Sequence, residues 1–306
     1  MPERVVVVGA GVIGLSVAVR LLEAGHRVDV LARDLPLETT SSVAAAIWYP
    51  YLAFPQDKVA AWGKATYDEL ARLAAEGVDG VAMRHGTELL HEPTADPWWI
   101  DAVPALTRVE PRPPYGDAWS FRTPVVDMPR YLSWLTERVR DAGGTLTRMA
   151  LARLPEAPLV VNCSGIGSRT LAADLSTTPV RGQVVVVEQV GLEEWWLAEG
   201  PAGGVPTYVI PRATDIVLGG TDDEGDWSRT PAPETAADIL RRAADLVPEV
   251  ARAKVLRHKV GLRPARPEVR LERVGDVVHC YGHGGAGVTL SWGCADEVAA
   301  LVESPA

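Results

Sequence analysis

The chain has 306 residues, 47% of them hydrophobic and 23% charged, which excludes a disordered protein and is enough for about two folded domains. A net charge of −10, with no dense run of lysine or arginine, excludes a nucleic-acid partner. No apolar stretch is long enough for a membrane helix, and three cysteines without a CxxC pair favour neither a disulfide framework nor a metal site. We therefore expect a cytoplasmic protein with no metal and no membrane partner.

The first elements along the chain predict a βαβ unit. Residues 5–8 are β-branched without polar alternation, as in a strand that is buried on both faces of a parallel sheet. A stretch with helical periodicity, 15–25, ends at a glycine suited to a helix C-cap. Residues 27–32 are predicted to form the second strand.

Gly9, Gly11 and Gly14 stand between this strand and this helix as G-x-G-x-x-G. The first glycine allows a tight turn, the second lets the backbone approach a pyrophosphate, and the third lets the helix pack closely on the strand. A purely structural glycine turn is the alternative, which the flanking strand and helix disfavour. After the second strand, Asp34 suits ribose hydroxyls and Arg33 suits a 2′-phosphate, so this segment leaves the type of dinucleotide open.

The later elements indicate two kinds of sheet. Helices are predicted at 57–75 and 128–142, and strands at 145–151 and 159–161. An antiparallel pattern then follows, with strands at 184–187, 208–210, 216–218 and 254–260, a helix at 234–246, a strand at 277–281 and a last helix to about 302. The order predicts an α/β fold in which a discontinuous Rossmann-type nucleotide-binding domain (1–50, 128–180 and 262–306) carries an inserted, mainly antiparallel β-sheet domain (51–127 and 181–261).

A second glycine-rich turn, 281–289 (YGHGGAGVT), leads from the last strand into the last helix. A nicotinamide enzyme has no obvious need for it. In a flavin enzyme, backbone N–H groups and a helix N-terminus at this place stabilise the negative charge of the reduced ring. A structural turn is again the alternative, but the two turns together predict FAD as the cofactor. The discontinuous Rossmann-type domain is then the FAD-binding domain, and the inserted sheet domain is the substrate domain.

Five segments resemble the D-amino-acid oxidase family, in that family's order. They are 5–16 (VVVVGAGVIGLS), 42–51 (SVAAAIWYPY), 130–138 (RYLSWLTER), 260–272 (VGLRPARPEVRLE) and 281–295 (YGHGGAGVTLSWGCA). The resemblance spans nearly the whole chain and is weakest at 85–115 and 188–204. It implies FAD-dependent oxidation of D-amino acids to imino acids, then 2-oxo acids and ammonia, with O₂ reduced to H₂O₂.

The resemblance also implies which residues bind the substrate. Arg263 pairs with the substrate carboxylate, joined by the hydroxyl of Tyr208, and Gly285 lies beside the substrate amine; these three are the candidate catalytic residues. A guanidinium fork matches a carboxylate and keeps its charge, which suits the first of these roles. The positions that line the side-chain pocket are Ile47, Tyr49 and Ile210.

The implied flavin contacts come from both glycine-rich turns and from the segments between them. They are Gly9, Gly11, Val12, Ile13, Gly14, Arg33, Asp34, Thr40, Ser41, Ala45, Ala46, Ile47, Leu151, Arg263, Gly284, Gly285, Ala286, Gly287, Val288 and Thr289.

Two departures from the family pattern stand out. Vertebrate members carry an active-site lid with a tyrosine four residues before the position of Tyr208, where this chain has Gly204 in a Gly203-Gly204 stretch. Lid gating is therefore in doubt. Cys280 replaces the usual Asn or His, which we interpret as a neutral strand substitution. We interpret His283 as a turn residue near the flavin and not as a catalyst, because holding the amine in position carries much of this reaction's barrier reduction.

Several functions stay open beside the oxidation of neutral, apolar D-amino acids. An oxidase of glycine or N-methyl amino acids is disfavoured by the Gly-Leu-Arg-Pro block, 261–264. A preference for D-aspartate is disfavoured because the assigned pocket positions include no second arginine. A flavin-binding protein without oxidase activity is disfavoured because Arg263 and Tyr208 are retained. The substrates are then a small D-amino acid and O₂, and a homodimer is left open.

Overall fold

The βαβ unit at the start of the chain consists of β1 (Arg4–Val8), α1 (Val12–Glu23) and β2 (Arg27–Ala32). In this computed structural model, which describes residues 4–50, 52–200 and 204–304, β1 and β2 are parallel neighbours. Val5 and Val7 of β1 pack into one hydrophobic cluster and Val6 and Val8 into another, because both faces of the sheet are covered. The predicted βαβ unit is confirmed.

The remaining helices and strands follow in chain order. They are α2 (Gln56–Ala75), β3 (Val81–Leu90), β4 (Leu106–Arg108), β5 (Asp117–Val126), α3 (Met128–Asp141), β6 (Thr145–Arg148), β7 (Leu159–Asn162), α4 (Ser168–Leu171), β8 (Thr178–Glu188), β9 (Trp195–Ala198), β10 (Thr207–Pro211), β11 (Asp215–Gly219), β12 (Asp223–Glu224), α5 (Pro233–Leu246), β13 (Val255–Val274), β14 (Val277–His283) and α6 (Gly287–Glu303).

The described residues build one 14-stranded sheet. The order is β4-β5-β3-β9-β10-β11-β8-β13-β14-β7-β1-β2-β6, and β12 pairs with β8. From β14 to β6 the strands are parallel, and residues of α1, α2, α3 and α6 pack with them into the main hydrophobic cluster. The other pairs are antiparallel except for β3 with β9. The predicted α/β class, with a Rossmann-type parallel part and a mainly antiparallel part, is confirmed.

The antiparallel part has two different faces. Helix α5 covers one face with Ile239 and Leu246. The other face carries an aromatic cluster that contains Trp48, Tyr67, Trp99, Trp119, Phe121, Trp195 and Ile210. The consecutive residues Val209 and Ile210 of β10 join different clusters, as expected when successive side chains of a strand point to opposite faces.

The structure also corrects the predicted strands. β13 does not end at 260 but continues to Val274, pairing first with β8 and then with β14. β3, β5 and β9 were not predicted, and the strand predicted at 145–151 ends at Arg148. The division into two domains stays a prediction, with its boundaries at 180–181 and 261–262 inside β8 and β13. Among the described residues, no helix has the length and apolarity to cross a bilayer.

Candidate active site

A cavity of about 700 Å³ opens at the carboxyl end of β1 and reaches β10 and β13. This is the edge at which open α/β sheets bind nucleotides. The predicted site residues that line it are Gly9, Gly11, Val12, Ile13, Arg33, Asp34, Thr40, Ser41, Leu151, Tyr208, Arg263, Gly284, Gly285, Gly287 and Val288. The predicted site residues that do not line it are Gly14, Ala45, Ala46, Ile47, Tyr49, Ile210, Ala286 and Thr289.

The first glycine turn has no room for side chains at two of its positions. Gly9 has a φ of +115°, and a Cβ there would lie 2.3 Å from the carbonyl oxygen of Cys163. A Cβ on Gly14 would lie 2.0 Å from the carbonyl oxygen of Gly9, so α1 packs directly on the turn. The N–H of Val12 donates a hydrogen bond to Ser41 Oγ at 3.0 Å. Gly11, Val12 and Ile13, at the start of α1, line the cavity, and the N-terminus of a helix suits a pyrophosphate.

At the end of β2, Arg33 and Asp34 form an ion pair with 2.6 Å between Nη2 and Oδ2. The hydrogen bond from Arg33 lowers the pKa of Asp34, so the carboxylate is ionised and can accept hydrogen bonds from ribose hydroxyls. Because the Arg33 guanidinium is already paired with this carboxylate, it is less suited to a 2′-phosphate. The pair thus favours the unphosphorylated ribose of FAD.

The second glycine turn joins β14 to α6 and is tied to β13. The N–H of Gly284 donates to the carbonyl oxygen of Pro264 at 2.9 Å, next to Arg263 in the chain. Gly282 and Gly284 have φ values of +88° and +53°, which other residues rarely adopt. Helix α6 has no acidic residue in its first turn. Its N-terminus therefore keeps its positive potential toward the cavity.

Arg263 lies in β13 at the wall of the cavity. Its Nη1 donates to the carbonyl oxygen of Thr221 at 2.7 Å. The guanidinium lies over Gly182, where a Cβ would come within 2.5 Å of Nη1. Among the described residues Arg263 has no carboxylate partner, whereas the buried Arg212 pairs with Asp215 at 2.6 Å. A cation without a protein anion is thus available for a carboxylate in the cavity.

Tyr208 lies in β10 and also lines the cavity. Burial raises the pKa of its hydroxyl, although Arg263 partly opposes this. The hydroxyl is therefore protonated and can donate a hydrogen bond beside the guanidinium of Arg263.

Ile47, Tyr49 and Ile210, predicted to line a side-chain pocket, pack with the aromatic cluster. The N–H of Tyr49 donates to Thr289 Oγ1 at 3.1 Å, which holds it against the first turn of α6. Its hydroxyl donates to Glu88 Oε1 at 2.8 Å. Burial raises the pKa of Glu88 to about 7, while the hydrogen bond from Tyr49 acts in the opposite direction. Sequence analysis did not identify Glu88 as a site residue.

The three cysteines, which are far apart in the chain, are free and buried. Ligand atoms of Cys280, His283 and Cys294 lie within 4.8 Å of one another, and burial raises the pKa of the Cys294 thiol. The sequence did not reveal this proximity, because it depends on how β14 packs on α6. His283 also lines the cavity. The absence of a metal stays a prediction, as does the neutral reading of Cys280.

The doubt about lid gating concerns a segment that is only partly described. Gly203 lies outside the described residues. Gly204 is described, and its carbonyl oxygen would lie 2.1 Å from a Cβ placed on Gly200. The expectation that lid gating is in doubt therefore stays a prediction.

The family model for FAD-dependent oxidoreductases matches residues 4–301. The chain belongs to this family. The oxidoreductase is 49% identical to a D-amino-acid oxidase of Rubrobacter xylanophilus, over 97% of this chain and 95% of that protein. It is 39% identical to a D-aspartate oxidase of Homo sapiens, over 98% of this chain and 94% of that protein. A solved structure of glycine oxidase from Geobacillus kaustophilus shares the fold, with a TM-score of 0.82 at 22% identity over 98% of this chain and 95% of that one.

The cavity fits the cofactor of an FAD-dependent oxidoreductase. The glycine turn at α1 and the Arg33–Asp34 pair suit the nucleotide half, and the turn at α6 suits the flavin half. The predicted family and the predicted FAD are confirmed by the family match. Which residues touch FAD and which touch the substrate stays a prediction.

Proposed function

We propose that this oxidoreductase oxidises neutral D-amino acids to imino acids, which hydrolyse to 2-oxo acids and ammonia, while O₂ is reduced to H₂O₂. The observation that carries the proposal is Arg263, a cation in the cavity wall without a carboxylate partner among the described residues. The name of the 49% identical relative supports the substrate class. Bound FAD supplies the two-electron acceptor.

In this proposal Arg263 and Tyr208 bind the α-carboxylate. The guanidinium fork gives two parallel hydrogen bonds, and the protonated hydroxyl of Tyr208 gives a third. The bond from Arg263 to the carbonyl oxygen of Thr221 fixes the fork before substrate arrives. Because the anchor is preorganised, it also sets the direction of the substrate's Cα and amine relative to Gly285, and orientation of this kind accounts for much of an enzyme's rate gain.

D-Aspartate is a second candidate because of the 39% identical human relative. The residues assigned to the side-chain pocket argue against D-aspartate. Ile47 and Ile210 are apolar, and Tyr49 is hydrogen-bonded to the buried carboxyl of Glu88. An acidic side chain there would lose its solvation without gaining a cation, which costs several kcal/mol. We therefore propose neutral side chains over acidic ones.

The partners are the amino acid and O₂, and a homodimer is left open. We propose a cytoplasmic location, supported by three free and buried cysteines, which suit a reducing compartment.

The test is H₂O₂ release by the FAD-loaded protein with a panel of D- and L-amino acids. We expect D-alanine, D-valine and D-methionine to be oxidised and their L-enantiomers to be inert. D-Aspartate should have a kcat/KM lower by at least about a hundredfold, since about 1.4 kcal/mol corresponds to each decade. A clear D-aspartate preference, or equal rates with L-amino acids, would overturn the proposal.

A further inference from the structure

Glu88 lies on the same face of the sheet as the proposed carboxylate site. In β3 it stands opposite Leu197 of β9, and Leu197 stands opposite Tyr208 of β10. Side chains of directly paired residues point to the same face of a sheet. Glu88 and Tyr208 are therefore two strand spacings apart, about 10 Å, on one surface.

The surroundings of Glu88 are the aromatic cluster and the predicted side-chain pocket. Only 8% of Glu88 is exposed, and Leu197 and Ile210 pack in the cluster beside it. A carboxyl group in such a place needs hydrogen-bond partners, because burial without them costs free energy. Glu88 Oε1 has one in the hydroxyl of Tyr49, at 2.8 Å.

The second oxygen of Glu88 has no hydrogen-bond partner in the described part of the chain. Trp119, directly opposite on β5, has a buried indole N–H that is also unpartnered there. Unsatisfied buried polar groups are rare in folded proteins, and each calls for a partner or a functional explanation. This face of the sheet thus offers polar contacts that the described residues do not use.

Tyr49 connects Glu88 to the proposed reaction centre. Its backbone is bonded to Thr289 Oγ1 in the first turn of α6, through both its N–H and its carbonyl oxygen, while its hydroxyl reaches Glu88. Tyr49 does not line the cavity, but it packs in the aromatic cluster together with Tyr208, which does. In the proposed binding mode, a substrate with its carboxylate at Arg263 and its amine near Gly285 extends its side chain along this cluster toward Tyr49. A side chain of sufficient length then ends near Glu88.

Resting on the proposed function, we infer that Glu88 determines which D-amino acid side chains the pocket accepts. Its free oxygen accepts a hydrogen bond from a side chain that ends in a donor, such as an amide or ammonium group, and its charge repels a side chain that ends in a carboxylate. Hydrogen bonds to an ionised acceptor are the stronger kind, and repulsion of a wrong ligand contributes to specificity as much as attraction of the right one.

The test compares three D-amino acids of similar length: D-glutamine, D-glutamate and D-methionine. Burial raises the pKa of Glu88 to about 7, so kcat/KM is measured at about pH 8.5, where the carboxylate is ionised. The wild-type protein should prefer D-glutamine over D-glutamate by at least about a hundredfold. Glu88→Gln keeps an acceptor for Tyr49 but removes the charge, and should reduce this ratio at least about tenfold. Glu88→Met should raise kcat/KM for D-methionine relative to kcat/KM for D-glutamine by about tenfold.

A matched control is Glu188→Gln, the same change on an exposed carboxylate that accepts the backbone N–H of Lys254. It should leave the D-glutamine to D-glutamate ratio within about twofold of wild type. The FAD content per chain shows whether each variant has folded.

The outcomes separate this inference from the proposed function. If FAD-loaded Glu88 variants oxidise D-methionine but keep the wild-type order of the three substrates, the inference is wrong and the proposed function stands. Equal use of D-glutamine and D-glutamate by the wild-type protein also overturns it, without any variant. If no D-amino acid is oxidised, the proposed function fails and this inference fails with it.

Discussion

At the scale of single residues, Arg263 is held by a carbonyl oxygen instead of a carboxylate. Replacing it with Ala should leave the substrate carboxylate without its charged partner, a loss of about 2–5 kcal/mol. Because the same contact orients the substrate, kcat should fall as well as KM rise. Steady-state kinetics with D-alanine check this. Arg263→Lys, which keeps the charge but not the fork, should lie between Ala and wild type.

Tyr208→Phe removes one hydrogen bond to a charged group and should cost less, about 1.5–3 kcal/mol in kcat/KM. Neither variant should lose FAD, since neither side chain lies at the glycine turn of α1. A flavin-loaded Arg263→Ala protein with wild-type kcat/KM would show that the carboxylate binds elsewhere.

Glu88 should also make stability depend on pH. Its pKa is raised from 4.5 to about 7 in the folded protein, so the folded state binds an extra proton between these values and stability falls as pH rises through this window. The groups facing it are Tyr49, which opposes the shift, and Glu199, which adds to it. Glu88→Gln should therefore gain stability relative to wild type between about pH 5 and pH 8, by up to about 3 kcal/mol.

Thermal unfolding of wild type and Glu88→Gln at the two pH values measures this difference. A difference in melting temperature between the two proteins that is the same at both pH values would mean that Glu88 titrates normally.

At the scale of elements, the contact between α1 and β1 depends on Gly14. Gly14→Ala would place a Cβ 2.0 Å from a backbone oxygen, so α1 must move away from the turn. We expect weaker FAD binding and a loss of stability of about 1–3 kcal/mol, typical of overpacking. Gly63→Ala in α2 is the control, because its Cβ would meet no atom closer than 3.6 Å. That variant should keep its FAD and melt no earlier than wild type; equal FAD loss in both would contradict this role of Gly14.

The elements that sequence predicted have strong local patterns. The buried valines of β1, the glycine turns and the amphipathic helices can each be recognised from the pattern of adjacent residues. β3 was missed because its burial is irregular along Val81–Leu90, with His85 exposed and Glu88 buried. The second half of β13 was missed because Pro264 and Pro267 normally end a strand. The register shifts between Ala265 and Arg270, the interval that contains Pro267.

The sequence also predicted some of the site residues and missed others. Gly9, Gly11 and Arg263 stand in motifs and line the cavity. Glu88 stands in the stretch where the resemblance is weakest, and its burial depends on the pairing of β3 with β5 and β9. Such long-range pairing leaves no signal in the residues around it.

At the scale of the whole molecule, segments from both ends of the chain line the cavity, which suits a single bound FAD. The purified protein should therefore be yellow, and denaturation should release FAD. Absorbance near the flavin bands and chromatography of the released cofactor check this. A colourless protein that takes up NAD instead would be inconsistent with the site described here.

The most direct test of the account is anaerobic reduction of the bound FAD, because it needs neither O₂ nor product release. Mixing the FAD-loaded protein with D-methionine should bleach the flavin absorbance, while L-methionine should leave it unchanged. The Arg263→Ala protein should be bleached at least about thirtyfold more slowly at low substrate concentration. An FAD-loaded wild-type protein that D-amino acids leave oxidised, or that both enantiomers reduce alike, would contradict the account.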